Sequence, residues 1–178
     1  FAAIEELRKI PAQVEKVLEC NELVGQIAEE IKEANDIFYL GRGVDYSLAM
    51  EGALKIKEIS YVHAEAFAAG ELKHGSIALI DKGTPVVAIA TQSQLFEKMV
   101  SNMQEVRARG ARVIAITQEG NTEVEKSADR VIYIPKVDDM FASITAVVPM
   151  QLLAYHASNI RGLDVDKPRN LAKSVTVE

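Results

Sequence analysis

The sequence predicts a three-layer α/β fold in which helices cover both faces of a five-stranded parallel sheet. Short apolar segments rich in β-branched residues, without polar alternation, are typical of strands covered on both sides. They alternate with longer segments of helical periodicity, which favours a parallel sheet because each return to the next strand needs a crossover. With 178 residues, 48% of them hydrophobic, the chain can bury one core and is too short for two ordinary domains.

The elements divide the chain into an arm, a central domain and a tail. The predicted strands are 37–40, 63–67, 86–90, 113–116 and 131–134, and the predicted helices are 47–62, 94–109, 122–127 and 140–161. Residues 1–34 carry two helical runs, the first of which we expect Pro11 to interrupt. The central domain spans 35–163. Residues 164–178 are polar and lie outside the alternation, so we expect a tail that closes over a surface or a site.

Composition excludes several classes of function. Twenty basic and 26 acidic side chains give a net charge of -6, which provides no general attraction to nucleic acids or acidic membranes. The single cysteine, Cys20, cannot form an internal disulfide, and no segment resembles a signal peptide or a membrane span. We therefore expect a cytoplasmic protein. Because the chain begins with Phe1 rather than methionine, we expect it to be a fragment of something longer.

Two loops lie where parallel sheets bind ligands, at the carboxyl ends of strands that lead into helices. The first is Gly41-Arg42-Gly43, followed by Asp45 or Ser47 as a helix cap; the second is Thr91–Gln94. The first lacks the third glycine of a dinucleotide fingerprint and the Gly-Lys-Ser/Thr of a phosphate loop. A ligand loop and a plain strand-to-helix turn both remain open for it. For the second loop, a hydroxyl-rich cap without ligand is favoured.

A charged row follows on the next predicted helix. At helical spacing, Glu51, Lys55 and Glu58 fall on one row beside the apolar stripe. Charges at the edge of such a stripe are half-buried, where their protonation can be tuned for catalysis. The alternative is a solvated face stabilised by ion pairs one turn apart, and spacing alone favours that alternative.

The three histidines differ in their surroundings. His74 follows a polar turn and precedes Gly75, which argues against a packed core position, whereas His63 and His156 lie in apolar patterns that favour structural roles. They are far apart in sequence and lack ligand spacing, so we expect no metal site and no cofactor.

Three segments in this order, KEISYVHAEA, ELKHG and PRNLAKSVTVE, carry a specific resemblance. The chain resembles the C-terminal part of the glutamine:fructose-6-phosphate aminotransferase (isomerising) family, the glucosamine-6-phosphate synthases, from the helical arm to the last residue. The resemblance implies the second of two sugar isomerase (SIS) domains, with a flavodoxin-like doubly wound fold. It also outweighs the solvated-face interpretation of the charged row.

The family enzymes release ammonia from glutamine in an N-terminal glutaminase domain, add it to fructose 6-phosphate and isomerise the product to glucosamine 6-phosphate. This chain has neither the nucleophilic cysteine of that domain nor the serine-rich phosphate loop of the first SIS domain. The resemblance therefore implies half of an isomerase module that binds sugar phosphate as a homodimer and is inactive alone. It implies no nucleic-acid or membrane partner.

The resemblance also implies catalytic roles for four residues. Glu58 matches the base that moves a proton between C1 and C2 of the sugar, and Lys55 matches the lysine that assists it. His74 matches a ring-opening histidine that reaches into the partner subunit's site. Lys173 matches the tail lysine that forms an imine with the open-chain ketose and closes over the site. Thr91–Gln94 departs from the family's phosphate loop, so we expect it to bind sugar phosphate weakly at most.

Three other functions would also fit parts of this sequence. SIS domains also serve in non-catalytic sugar-phosphate sensors, but those need a DNA-binding segment that this chain does not carry. A related deglycase uses a similar glutamate, and the PRNLAKSVTVE ending argues for the synthase instead. The third alternative is a domain that serves only as an assembly scaffold.

Overall fold

The computed structural model describes residues 2–171 and contains one sheet of five parallel strands in the order β2-β1-β3-β4-β5. The strands are β1 Asp36–Gly41, β2 His63–Ala68, β3 Pro85–Ala90, β4 Arg112–Gln118 and β5 Arg130–Ile134. Every predicted strand lies inside an observed one, so the predicted five-stranded parallel α/β fold is confirmed. Its basis is burial: all six residues of β3 are buried, as expected of a central strand covered on both faces.

Five α-helices and four 3-10 turns accompany the sheet in the described residues. The helices are α1 Ala2–Leu18, α2 Asn21–Glu30, α3 Val44–Ser60, α4 Phe96–Arg107 and α5 Ala142–Ile160. The turns are Leu72–His74, Ser76–Leu79, Ser93–Leu95 and Thr122–Lys126. The segment 122–127, predicted as a short helix, is thus a 3-10 turn, and the helix predicted from residue 94 begins with another.

Pro11 does not interrupt the first helix, and that expectation was wrong. Helix α1 continues through Pro11 as one element. A proline in a helix leaves the carbonyl four residues earlier without its amide donor. That carbonyl belongs to Leu7, whose side chain is exposed, so solvent can replace the lost hydrogen bond on this face.

The sheet separates two apolar cores. On one face, α1, α2, α3 and α5 pack around residues that include Tyr39, Ile56 and Met150; on the other, α4 packs with the 3-10 turns. Helix α3 approaches β1 and α5 closely at Gly52. A Cβ atom there would lie 2.6 Å from the Met150 sulfur and 2.8 Å from the Tyr39 ring. Glycine at this position therefore allows α3 to pack against both elements.

An ion cluster fastens α2 to the sheet. Glu30, at the end of α2, bridges Arg112 at the start of β4 and Arg130 at the start of β5. The Arg130 Nε lies 3.2 Å from Glu30 Oε2. The hydrogen bond from Arg130, followed by the charge of Arg112, lowers the pKa of the Glu30 carboxyl below its usual range. The ionised form of Glu30 is thus the one that the fold stabilises.

Replacing Glu30 by glutamine should lower the free energy of unfolding by about 1 kcal/mol at neutral pH. Because the folded-state pKa of Glu30 is depressed, its contribution exists above the unfolded-state pKa and disappears as pH falls through the folded-state value. Urea unfolding at several pH values should therefore show the two proteins converging in acid. Glu29→Gln, which removes an exposed pair with Lys32, is the matched control and should change stability little. An equal loss in both variants would contradict the role of the cluster.

Candidate functional site

The strand order places a ligand crevice between β1 and β3. These strands are neighbours in the sheet although β2 lies between them in the chain, and open α/β sheets bind ligands at such a switch point. The loops that meet there are the two predicted from the sequence, 41–43 and 91–94. The hydrogen-bond donors that these two loops leave free determine what a ligand at the switch point could bind.

Asp45 fills part of the crevice from within the protein. The N-cap of α3 is Gly43, and Asp45 lies inside the helix rather than capping it, so the predicted cap was wrong. The Asp45 carboxylate is only 2% exposed and accepts hydrogen bonds from the Thr91 amide, at 2.8 Å, and the Thr91 hydroxyl, at 2.6 Å. Burial raises the pKa of the Asp45 carboxyl, and the bonds from Thr91 offset part of the rise. The carboxylate thereby joins the loops after β1 and β3.

A second carboxylate occupies the rest of the 91–94 loop. Asp139 Oδ2 accepts hydrogen bonds from the Ser93 amide, at 2.8 Å, and from the Ser93 hydroxyl, at 2.5 Å. The Gln92 side chain donates to the Asp139 carbonyl at 3.2 Å. These donors are the groups that a sugar phosphate would need, and internal acceptors already use them. This geometry supports the expectation that the loop is a hydroxyl-rich turn without ligand.

The charged row on α3 forms a compact group on an accessible face. Lys55 Nζ lies 2.7 Å from Glu58 Oε2 and 3.6 Å from Glu51 Oε1. The Lys55 and Glu58 side chains are 32% and 30% exposed, so they are screened in part yet open to a ligand. The hydrogen bond to Glu58 is the main cause that raises the pKa of the Lys55 amine. Lys55 therefore carries a positive charge beside the Glu58 carboxylate.

His74 lies at the other end of the sheet from Glu58. It ends the 3-10 turn that follows the carboxyl end of β2. Its side chain is 67% exposed, and its Nε2 lies 3.8 Å from Glu71 Oε2. Helix α3 runs back from the carboxyl end of β1, so Glu58 in its last turn lies near the opposite end of the strands. The six-residue strand β2 alone separates these ends by roughly 17 Å. Within one chain, the structure brings Lys55 and Glu58 together and leaves His74 apart.

The other two histidines have neighbours that suit structural roles. His63 Nδ1 lies 2.9 Å from Asp36 Oδ1, at the start of β1 and β2. His156 Nε2 lies 2.9 Å from Asn21 Oδ1, which links α5 to α2.

The tail is anchored beside the end of α3. Tyr61, in the left-handed conformation with φ 60°, ends this helix three residues after Glu58. The Arg169 amide donates to the Tyr61 hydroxyl at 2.8 Å, and the Arg169 guanidinium lies 4.1 Å from the centre of the Tyr61 ring. Sequence reasoning missed this anchor, although a tyrosine directly after a charged helix row was the available signal. Lys173 lies outside the described residues.

A cavity of about 630 Å³ opens at the amino ends of β1, β2 and β3, opposite the switch point. Its lining carries both signs of charge, including Glu30, Asp36, Lys82 and Arg112. Lys55, Glu58 and His74 do not line it.

Comparison with known proteins identifies the fold family. The sequence profile of the SIS domain matches residues 30–161. The chain belongs to the SIS domain family. It is 57% identical over 175 residues to the glutamine–fructose-6-phosphate aminotransferase [isomerizing] of Thermus thermophilus and 54% identical to that of Caldanaerobacter subterraneus. The predicted resemblance is confirmed over 98% of the chain.

A solved structure agrees with the sequence comparison. The C-terminal domain of glucosamine-fructose-6-phosphate aminotransferase from Francisella tularensis superposes with a TM-score of 0.86 at 42% identity, over 92% of this chain and 46% of that one. A putative tagatose-6-phosphate ketose/aldose isomerase from Clostridium novyi gives a TM-score of 0.85 at 26% identity, over 98% and 48%. The chain spans 29% of the length of the two aminotransferases. Within residues 2–171, every helix is too short or too polar to cross a lipid bilayer.

Asp45→Asn should lower the free energy of unfolding by about 1–3 kcal/mol, because the amide keeps one acceptor oxygen and turns the other into an NH2 group, which cannot accept the second hydrogen bond from Thr91. Chemical denaturation at neutral pH measures the loss. Asp138→Asn, on the exposed segment before α5, removes the same charge and should change stability by much less. Equal stability of the Asp45 variant and the wild type would show that the carboxylate does not hold the two loops together.

Proposed function

We propose that this chain is the second SIS half of the isomerase module of a cytoplasmic glucosamine-6-phosphate synthase. The complete enzyme would convert fructose 6-phosphate and glutamine-derived ammonia to glucosamine 6-phosphate. The observation that carries the proposal is the 2.7 Å contact between Lys55 and Glu58 on an accessible face of α3. Identity of 54–57% to aminotransferases of that activity supports it.

Glu58 is the proposed base of the isomerisation. After ammonia forms an imine at C2 of the open-chain sugar, the Glu58 carboxylate removes a proton from C1, the electron pair forms a C1–C2 double bond, and the nitrogen takes up a proton. The resulting enolamine regains the first proton at C2 while its C1 hydroxyl releases a proton, which leaves an aldehyde at C1 and an amine at C2. A carboxylate that is partly screened yet open to a ligand suits this task, because a general base must reach the proton that it removes.

Lys55 is proposed to hold Glu58 and stabilise charge on the substrate. Its ammonium group binds Oε2 of Glu58, and among residues 2–171 the other carboxylate oxygen accepts no hydrogen bond, so it can face a substrate. A cation at this distance also favours the negative charge that develops on the C1 oxygen when the enolamine hydroxyl loses its proton and the aldehyde forms. Lys55 therefore acts as a fixed charge, consistent with the raised pKa of its amine.

The separation of His74 from Glu58 supports a shared site between two copies of the chain. A histidine at the far end of the sheet cannot serve the Glu58 site of its own subunit, whereas the equivalent histidine of a neighbour can. Met50 and Leu54, which are exposed on the same helix as Glu58, provide apolar surface for such an association. We accordingly propose a homodimer in which His74 assists ring opening in the partner's site.

The anchor at Arg169 supports a role for the tail. Lys173 follows four residues later, and four residues of extended chain reach at most about 14 Å. Because Arg169 is held at the end of α3, this reach includes the neighbourhood of Glu58. We propose that the Lys173 amine attacks C2 of the open-chain ketose and forms an imine with loss of water, and that ammonia then adds at C2 and displaces the lysine amine to give the imine that Glu58 acts on.

In the full-length enzyme, Glu58→Gln should abolish exchange of solvent deuterium into C1 and C2 of the sugar, because an amide cannot accept the proton. Incubation with fructose 6-phosphate or glucosamine 6-phosphate in heavy water, followed by proton NMR of the sugar, measures the exchange. We expect the rate to fall by at least about a hundredfold.

Glu51→Gln is the matched control, since Glu51 lies on the same helix row and 3.6 Å from Lys55. Its exchange rate should stay within a few-fold of the wild type. Wild-type exchange in the Glu58 variant, or equal loss in both variants, would remove Glu58 from the mechanism.

A further inference from the structure

The glycine-rich turn after β1 has a role that the proposed chemistry does not use. Asp45 and Asp139 already use the hydrogen-bond donors of the neighbouring loop 91–94. Arg42 points away from these carboxylates, toward the segment that carries His74. We propose that Arg42 is a positioning residue that fixes the turn 69–75 and thereby the placement of His74. The proposal rests on the proposed function for the role of His74, while its structural part can be measured separately.

Arg42 is held in one orientation by α4. Its Nε donates to Asn102 Oδ1 at 2.9 Å, and Asn102 is only 5% exposed. The Asn102 amide group in turn donates to Glu105 Oε2 at 3.2 Å, which determines which of its atoms faces Arg42. A bond at Nε fixes the plane of the guanidinium, because the group is rigid and planar. Its two terminal nitrogens are therefore directed rather than free to rotate.

The terminal nitrogens lie against Gly70. A Cβ atom at Gly70 would stand 2.7 Å from Nη2 of Arg42 and 3.2 Å from Cζ. The φ angle of Gly70 is not positive, so its backbone conformation does not require glycine. The guanidinium requires it, because it fills the space that a side chain would take. Arg42 and Gly70 thus form a matched pair.

The turn transmits this contact to His74. The Ala69 amide donates to the Gly41 carbonyl at 2.9 Å, next to Arg42 in the chain. Two further backbone hydrogen bonds continue the turn: the Glu71 amide donates to the Ala68 carbonyl at 2.8 Å, and the His74 amide donates to the Glu71 carbonyl at 3.0 Å. Gly41, Arg42 and α4 therefore form a base on which the His74 segment rests, while His74 itself remains exposed.

Hydrogen exchange in the full-length enzyme tests the structural part. By mass spectrometry, the peptide covering 69–75 should exchange about tenfold faster in Arg42→Ala than in the wild type. Gly70→Ala should also speed exchange of this peptide, because the added methyl group displaces the Arg42 guanidinium. Of the two variants, it is the smaller change to the protein. The double variant should exchange no faster than Arg42→Ala, since the displaced group is already gone. Arg109→Ala, an exposed arginine near the end of the same α4, is the control and should leave this peptide unchanged.

Kinetics test the connection to His74. Arg42→Ala should lower kcat about tenfold with little change in KM, and it should cause no further loss in a His74→Asn background. Unchanged exchange of 69–75 in both single variants, or a full additional loss of kcat in the His74→Asn background, would overturn the positioning role. Wild-type kcat in His74→Asn itself would instead reject the proposed function of His74, and the exchange result would still stand.

Discussion

The buried carboxylate of Asp45 is the interaction that joins the two loops at the switch point of the sheet. A carboxylate removed from water is stable only if nearby donors replace its hydration, and the loop after β3 supplies them from Thr91. These hydrogen bonds hold the loops after β1 and β3 together at the switch point. Asp139 accepts the hydrogen bonds of the next donors in the loop, the amide and hydroxyl of Ser93. The position at which this fold class ordinarily binds a ligand is thereby closed by the protein itself. Accessible charge remains on the outer face of α3.

Helix α3 gives that face its chemistry. One side of the helix packs so closely that Gly52 cannot carry a side chain, which holds α3 firmly on β1 and α5. A rigid helix suits a reactive pair, because Lys55 and Glu58 keep their 2.7 Å contact without flexible loops. The direction of the same helix carries Glu58 away from His74. Under the proposed function, a second copy of the chain therefore supplies His74.

The fold was predictable from sequence wherever burial controlled the pattern. The strands β3, β4 and β5 were located because covered strands need continuous apolar, β-branched residues. Errors arose where a local rule left out the surroundings of a residue. Pro11 is tolerated because solvent reaches the carbonyl that it leaves without a donor, and Asp45 binds Thr91 instead of capping α3. The roles proposed for Lys55 and Glu58 came from the family resemblance, since spacing alone favours a solvated helix face. Arg42 and Gly70 could not be paired from sequence, because the contact joins two loops through a space that only the folded chain defines.

The place of β2 at the edge of the sheet affects how copies of this domain can meet. An edge strand offers a row of free backbone groups to which another chain can add, and such addition has no natural limit. The exposed His63 and Glu65 side chains on β2 oppose it, because a second sheet would have to bury them. In the proposed homodimer, side-chain surfaces such as α3 are thus favoured over backbone pairing at β2, and a contact of that kind closes on itself rather than growing into a fibre.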